Sequence, residues 1–377
     1  MEQELRISQR AKQYPASGIR KMFDLAAQYP EAIKLTVGEP NFDTPQYIKD
    51  AAKRALDEGQ THYAPNAGTT ELREAVAAKY RKQYWEGYTK DHVIITVGAM
   101  EGLFLAMMTL LDPGDEILVP DPCFPNYYGQ ASSIGARAVP VPTYEEYDYR
   151  IQAADIEKAV TPRTRAILLN SPCNPTGAVL TKEDILAIAK VAKTHDLWVL
   201  TDEPYDAIVY DGIQPYSMAQ VPEMQDRVMV LNSFSKSYAM TGWRLGYCMA
   251  DAKLMDRIQV FHQYCVPSVP SFVQRACVTA LETDTSDVVE IFRRRRDYVY
   301  QRLVDMGLDV EKPEGAFYMF VDIRKFGMDS NTFCTRMLKE GLVGVIPGIH
   351  FGTEGFMRLS YCYSDADLKE GLDRIEK

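Results

Sequence analysis

Between about Ala51 and Cys265 the chain alternates helical patterns with short runs that are apolar at nearly every position. Val93-Ile94-Ile95-Thr96-Val97, Glu116-Ile117-Leu118-Val119, Ala166-Ile167-Leu168-Leu169, Leu197-Trp198-Val199-Leu200 and Val228-Met229-Val230-Leu231 are the clearest. A strand covered on one face alternates apolar with polar residues. One that is apolar throughout is covered on both, and with helices interleaved that means a mostly parallel sheet. Helices are expected from Met100 to Leu111 and from Lys182 to Thr194, and Pro120 is expected to close the strand before it. After about Ser271 the pattern changes: a long charged helix runs through Arg293-Arg294-Arg295-Arg296, followed by short strands at 317–321 and 357–360 and a last helix from Asp365. The four arginines read as a solvated helix face without a role. The expected fold class is α/β, with a large domain over residues 45–265 and a smaller α+β domain made from 1–44 and 266–377.

Lys plus Arg number 42 and Asp plus Glu 52, a formal net charge of -10 over 377 residues. Nucleic acid and anionic membrane are therefore excluded as main partners, since neutralising phosphates takes clustered cations. A small anion remains possible, because one buried arginine can hold it. No stretch approaches the ~18 apolar residues of a membrane span, and residues 1–30 contain no hydrophobic segment of signal-peptide length. Seven cysteines without a CxxC pair argue against a disulfide framework or zinc knuckle and point to a reducing cytoplasm. The histidines, His62, His92, His195, His262 and His350, lack ligand spacing, so no metal is expected. GxxxxGK[ST], GxGxxG, HExxH and GxSxG are all absent, which removes P-loop NTPases, Rossmann dehydrogenases, zinc proteases and serine hydrolases.

What remains is a set of polar strand ends. Ligands of open parallel sheets bind beyond the carboxyl ends of the strands. Here those ends read Gly98-Ala99-Met100, Asn170-Ser171-Pro172-Cys173-Asn174-Pro175, Asp202-Glu203-Pro204-Tyr205 and Asn232-Ser233-Phe234-Ser235-Lys236. Gly98 followed at once by a helix leaves free N–H groups for a phosphate, and Ser233, Ser235 and Arg244 can complete such a site.

Ser171-Pro172-Cys173-Asn174-Pro175-Thr176-Gly177, Asp202-Glu203-Pro204-Tyr205, Ser233-Phe234-Ser235-Lys236 and Met240-Thr241-Gly242-Trp243-Arg244-Leu245-Gly246-Tyr247 together resemble the class I/II aminotransferases. These are fold-type I enzymes dependent on pyridoxal 5'-phosphate (PLP). The likeness covers nearly the whole chain, from Thr36-Val37-Gly38-Glu39-Pro40 through Tyr63-Ala64-Pro65-Asn66-Ala67-Gly68 to Met357-Arg358-Leu359-Ser360-Tyr361. Ser17-Gly18-Ile19-Arg20-Lys21, His262-Gln263-Tyr264 and Gly315-Ala316-Phe317-Tyr318 are similar to aspartate/aromatic and N-acetyl-diaminopimelate aminotransferases. The resemblance implies a seven-stranded, mostly parallel sheet flanked by helices in the large domain.

It also implies roles. Lys236 forms the Schiff base with PLP and then shuttles the α-proton, work that suits a lysine whose pKa is lowered by burial and nearby cations. Asp202 keeps the pyridine nitrogen protonated, so that the ring acts as an electron sink. Asn174 and Tyr205 hydrogen-bond the phenolic oxygen, and Phe124 stacks on the ring where Trp or Tyr is commoner. Ala99 and Met100 give backbone N–H groups to the phosphate, Ser233, Ser235 and Arg244 bind it by side chain, and Tyr63 reaches it from a neighbouring subunit, which implies a homodimer with shared sites. Arg358 clamps the substrate α-carboxylate, assisted by Asn174 and the backbone at Gly38. By residue type alone each has a plainer reading: a solvated loop lysine, an N-cap aspartate, a turn asparagine, packed aromatics, a surface arginine. Cys173 reads as a tolerated small residue rather than a nucleophile, and Pro204 departs from the commoner branched aliphatic without consequence.

The reaction so implied is ping-pong transamination from an L-amino acid to a 2-oxo acid, 2-oxoglutarate most often in the family, with an aspartate/aromatic-like donor range. A C–S β-lyase on the same fold is the alternative, since it must also hold the carboxylate; a clamped carboxylate argues against α-decarboxylation. A non-catalytic PLP-binding regulator is a third reading, disfavoured because the family likeness begins within the first forty residues and leaves no room for a DNA-binding domain. No cation for a distal carboxylate is identifiable beyond the bare candidates Arg20 and Lys21, and the expected side-chain range is broad or aromatic.

Overall fold

The structure, a computed structural model, describes residues 6–8, 11–12 and 18–377. Ser17 and the rest of the 1–44 segment before Gly18, apart from those two stretches, lie outside the described residues.

After helix Gly18–Ala27 and the short strand β1 (Ile33–Lys34), the chain builds a large sheet from β2 (Val93–Thr96), β3 (Glu116–Asp121), β4 (Arg137–Pro142), β5 (Thr164–Asn170), β6 (Trp198–Asp202), β7 (Val228–Ser233) and β8 (Gly246–Met249). The order is β2-β8-β7-β6-β5-β3-β4. β8 runs antiparallel to both neighbours and every other pair is parallel. The apolar runs do what their lack of alternation requires. Ala166, Leu168 and Leu200 pack on one face with Leu103 and Met107 of helix Ala99–Leu110. Ile167, Leu169 and Val199 pack on the other with Ile185 and Ile188 of helix Lys182–Thr194. Each such buried side chain is worth about 1.5–3 kcal/mol. Helix Lys182–Thr194 starts at a capping box, Thr181 accepting from the Asp184 N–H while Asp184 accepts from Thr181, so two N–H groups at its start are satisfied locally.

Pro120 does not close its strand. β3 runs on through Pro120 and Asp121 beside β4, while its ladder to β5 has ended at Leu118, where a residue lacking an N–H costs the sheet least. Gly246 is required by close approach: a Cβ there would lie 2.6 Å from both the Ala99 N and the Asn232 O. β8 can therefore pass directly under the start of helix Ala99–Leu110.

The smaller core gathers around β9 (Tyr318–Asp322), β10 (Val343–Gly344), β11 (Ile346–Pro347) and β12 (Phe356–Ser360). β11-β12-β9 form an antiparallel sheet and β10 pairs with β1. Two expectations change. Helix Ser271–Leu281, which the expected boundary assigns to the small domain, packs Val273, Ala276, Cys277 and Ala280 into the core of the large sheet. The arginine run in helix Ser286–Asp305 is not wholly solvated. Arg296 is 1% exposed, bonded to both Asp211 carboxylate oxygens at 2.8 and 2.9 Å, to Asp297 at 3.0 Å and to the Pro313 carbonyl at 3.1 Å, with Tyr210 under its guanidinium. Arg295 bonds Asp365 and Asn41. Among the described residues no helix is long and apolar enough to cross a membrane.

Candidate active site

Register sets the chemistry at the sheet edge: Asn170 pairs opposite Asp202, and Asp202 opposite Leu231. Beyond these ends lies a cavity of ≈ 290 Å³. The buried Asp202 carboxylate forms its floor and accepts a 2.6 Å bond from the Tyr127 hydroxyl. Burial raises the Asp202 pKa to about 6, opposed by the Tyr127 bond and the Lys236 charge. Lys236, on the turn after β7, points Nζ to the Gly38 carbonyl at 2.6 Å. Burial lowers its pKa to about 8; Cys362 and Glu39 oppose this, while Arg358 and Arg244 reinforce it. A buried amine of this kind gives up its proton more readily than an exposed lysine.

Arg358 stands on β12 at the opposite wall, its guanidinium between the rings of Tyr318 (4.4 Å) and Phe351 (4.7 Å). Nη1 donates to Asn174 Oδ1 at 2.8 Å and Nη2 to the Thr36 carbonyl at 2.6 Å, while the buried Nε has no protein partner. A fixed guanidinium fork with an unspent donor suits a carboxylate. Tyr205 shares a 2.8 Å bond with the Tyr318 hydroxyl. Phe124 forms a side wall.

At the far end, helix Ala99–Leu110 begins at Gly98 with φ 78° and no side-chain cap, so its first N–H groups, those of Ala99 and Met100 among them, face the cavity. A Cβ on Gly98 would come 2.8 Å from Arg244 Nη2. The Ser233 hydroxyl donates to Ser235 Oγ at 2.8 Å and accepts from the Ser235 N–H at 3.0 Å. N–H groups at a helix start, two hydroxyls and a guanidinium make up an anion site.

A family model for aminotransferase class I and II matches residues 30–375. The chain belongs to this family. It is 44% identical to an aromatic-amino-acid aminotransferase 2 of Thermococcus litoralis, over 98% of this chain and 97% of that one. To a probable N-acetyl-LL-diaminopimelate aminotransferase of Bacillus subtilis it is 41% identical, over 98% and 95%. The structure of a Thermus thermophilus aspartate aminotransferase with maleate superposes with a TM-score of 0.93 at 36% identity, covering 98% of each chain. The chain is thus a PLP-dependent aminotransferase of fold type I, and a β-lyase is not favoured.

The aminotransferase's cavity fits that cofactor: an anion site at one end, a buried carboxylate on the floor, an amine between them, and an aromatic wall. Gly38, Ala99, Met100, Phe124 and Asn174 line it, as do Asp202, Tyr205, Ser233, Ser235, Lys236, Arg244 and Arg358. Tyr63 does not: it is 85% exposed and borders a separate depression with His62 and Arg275. Cys173 is buried off the cavity and its thiol pKa is raised by burial. Sequence reasoning missed Tyr127, the donor to Asp202, and the part Tyr318 plays in holding both Tyr205 and Arg358.

Proposed function

We propose that the aminotransferase transfers amino groups between a broad set of L-amino acids, aromatic ones included, and 2-oxoglutarate. The observation that carries this is the cavity's composition. Among the described residues its cations are Lys236, Arg244 and Arg358, each with a task below, and its apolar lining includes Ile19, Phe23, Phe124 and Tyr318. An aromatic side chain needs nothing more, whereas a distal carboxylate needs a cation from elsewhere. Relatives named for aromatic and for aspartate substrates support the same range.

When bound, PLP supplies an aldehyde that condenses with amines and a ring that draws electrons from the substrate α-carbon. Lys236 Nζ, in the cavity beside the Gly38 carbonyl, is the amine that would hold PLP covalently and would serve as the base for the substrate α-proton. Asp202 holds a proton on the pyridine nitrogen, and Tyr127 fixes the carboxylate that does so. Tyr205 and Asn174 would donate to the phenolic oxygen, and Phe124 would cover the ring. Ala99, Met100, Ser233, Ser235 and Arg244 bind the phosphate. Arg358 takes the α-carboxylate with its spare donors, while Asn174 and Thr36 hold it in place and the Gly38 backbone closes the site.

The working unit is a homodimer in which Tyr63 serves the neighbouring site. Its exposure, with that of Tyr264 (81%) and Tyr47 (47%), supports this. The cytoplasm suits seven unpaired thiols, and the domain division falls in residues 282–285, after helix Ser271–Leu281. The test is glutamate formation by full-length protein from twenty amino acids with 2-oxoglutarate, with Lys236→Ala as blank. Glutamate from aromatic and acidic donors is expected. Glutamate from acidic donors alone, or pyruvate from cysteine without glutamate, would overturn the reading.

A further inference from the structure

Helix Ala99–Leu110 carries a charge that opposes the anion it is proposed to bind. Glu101 lies in its first turn, and its Oε2 accepts the Val97 N–H at 2.6 Å. A carboxylate there competes with a bound phosphate for the same N-terminal field. Across from it stands His262, wholly buried on helix Ala252–Cys265, with Nδ1 3.1 Å from Glu101 Oε1 and Nε2 3.0 Å from the Asn66 carbonyl. Both ring nitrogens face acceptors, Glu101 Oε1 and the Asn66 carbonyl, so the imidazole can donate to each and pair the carboxylate. The thiols of Cys248 and Cys265 also feel the Glu101 charge, which together with burial raises their pKa values, so neither supplies a cation.

We infer that His262 is a positioning residue for cofactor binding: it neutralises Glu101 at the phosphate-holding helix and ties that helix to the loop bearing Tyr63. The loop connection is direct, since Asn66 lies three residues from Tyr63 and its Nδ2 donates to the Val266 and Pro267 carbonyls just past the His262 helix. The inference rests on the proposed placement of the phosphate.

Equilibrium dialysis of the full-length protein against PLP, and separately against pyridoxal, which lacks the phosphate, tests it. His262→Gln leaves Glu101 uncompensated and is expected to weaken PLP retention about tenfold, the scale of one charge at a partly buried helix end, with pyridoxal unchanged. Adding Glu101→Gln is expected to restore PLP binding, and Glu101→Gln alone not to weaken it. Equal loss of PLP and pyridoxal, or a double variant weaker than His262→Gln, would overturn the inference. Wild-type protein that holds PLP no better than pyridoxal would instead overturn the phosphate placement itself.

Discussion

Arg358→Lys separates a carboxylate fork from a mere positive charge. Lysine keeps the charge, but one ammonium cannot meet Asn174 Oδ1, the Thr36 carbonyl and both oxygens of a carboxylate at once. In the wild type Nη1 and Nη2 each spend one N–H on a protein acceptor, at 2.8 and 2.6 Å, and the second N–H on each remains for substrate, while the unpartnered Nε is sealed from the cavity. Losing one charge-assisted bond costs about 1.5–3 kcal/mol, and at ~1.4 kcal/mol per decade kcat/KM should fall about ten- to a hundredfold. Both half-reactions use an α-carboxylate, so KM should rise for the amino donor and for 2-oxoglutarate together. PLP retention should hold, because Arg358 touches neither the anion site nor Asp202. Steady-state kinetics with each substrate varied, alongside dialysis for PLP, gives all three quantities. A loss below about fivefold, or loss of PLP with substrate KM unchanged, would refute the assignment of the spare donors to substrate.

Three further outcomes are expected. Tyr127→Phe removes the 2.6 Å bond that lowers the Asp202 pKa; the acid limb of the kcat/KM profile should move to higher pH and kcat fall roughly tenfold, and an unmoved limb would count against Tyr127. Lys236 has a folded pKa of about 8, below the ordinary lysine value, so the unfolded chain binds the extra proton between about pH 8 and 10.5 and PLP-free protein should gain stability as pH rises through that window. Thermal melts of PLP-free Lys236→Met should lie above wild type at pH 7 and converge by about pH 10.5; a constant gap would contradict the burial cause. Arg296→Met strands Asp211 and Asp297, but these carboxylates are 51% and 35% exposed and can rehydrate, so the cost should be about 2 kcal/mol rather than the 3–5 of a sealed pair. Denaturant titration reads this directly, and an unchanged midpoint would mean the network does not stabilise the fold.

The parts of this enzyme that are legible in its sequence are those fixed within a few residues. An unbroken apolar run declares itself buried on both faces, and an asparagine, an aspartate or a lysine standing just past such a run declares a strand end. That is why Asn170, Asp202 and Lys236 could be brought to one edge before any coordinates. Partnerships made by the fold carry no such local mark. Tyr127 meets Asp202 across 75 residues and Arg358 meets Asn174 across 184, and nothing near either tyrosine or arginine names its partner. Helix Ser271–Leu281 is a similar case: it lies beyond the expected boundary at 265 and follows the last strand of the large sheet, yet packs into that sheet's core. The arginine run is different, because the information was there. Four consecutive helical residues stand about 100° apart and so cover about 300° of the circumference; they point nearly all round the helix and cannot share one solvated face. On a helix packed against a core at least one of them must turn inward and find anions to meet. Arg296 is that residue, and its bonds to Asp211 and the Pro313 carbonyl fasten the small-domain helix to the segments on either side of it. The same counting applies to any run of four like charges in a helix that is not solvated all round.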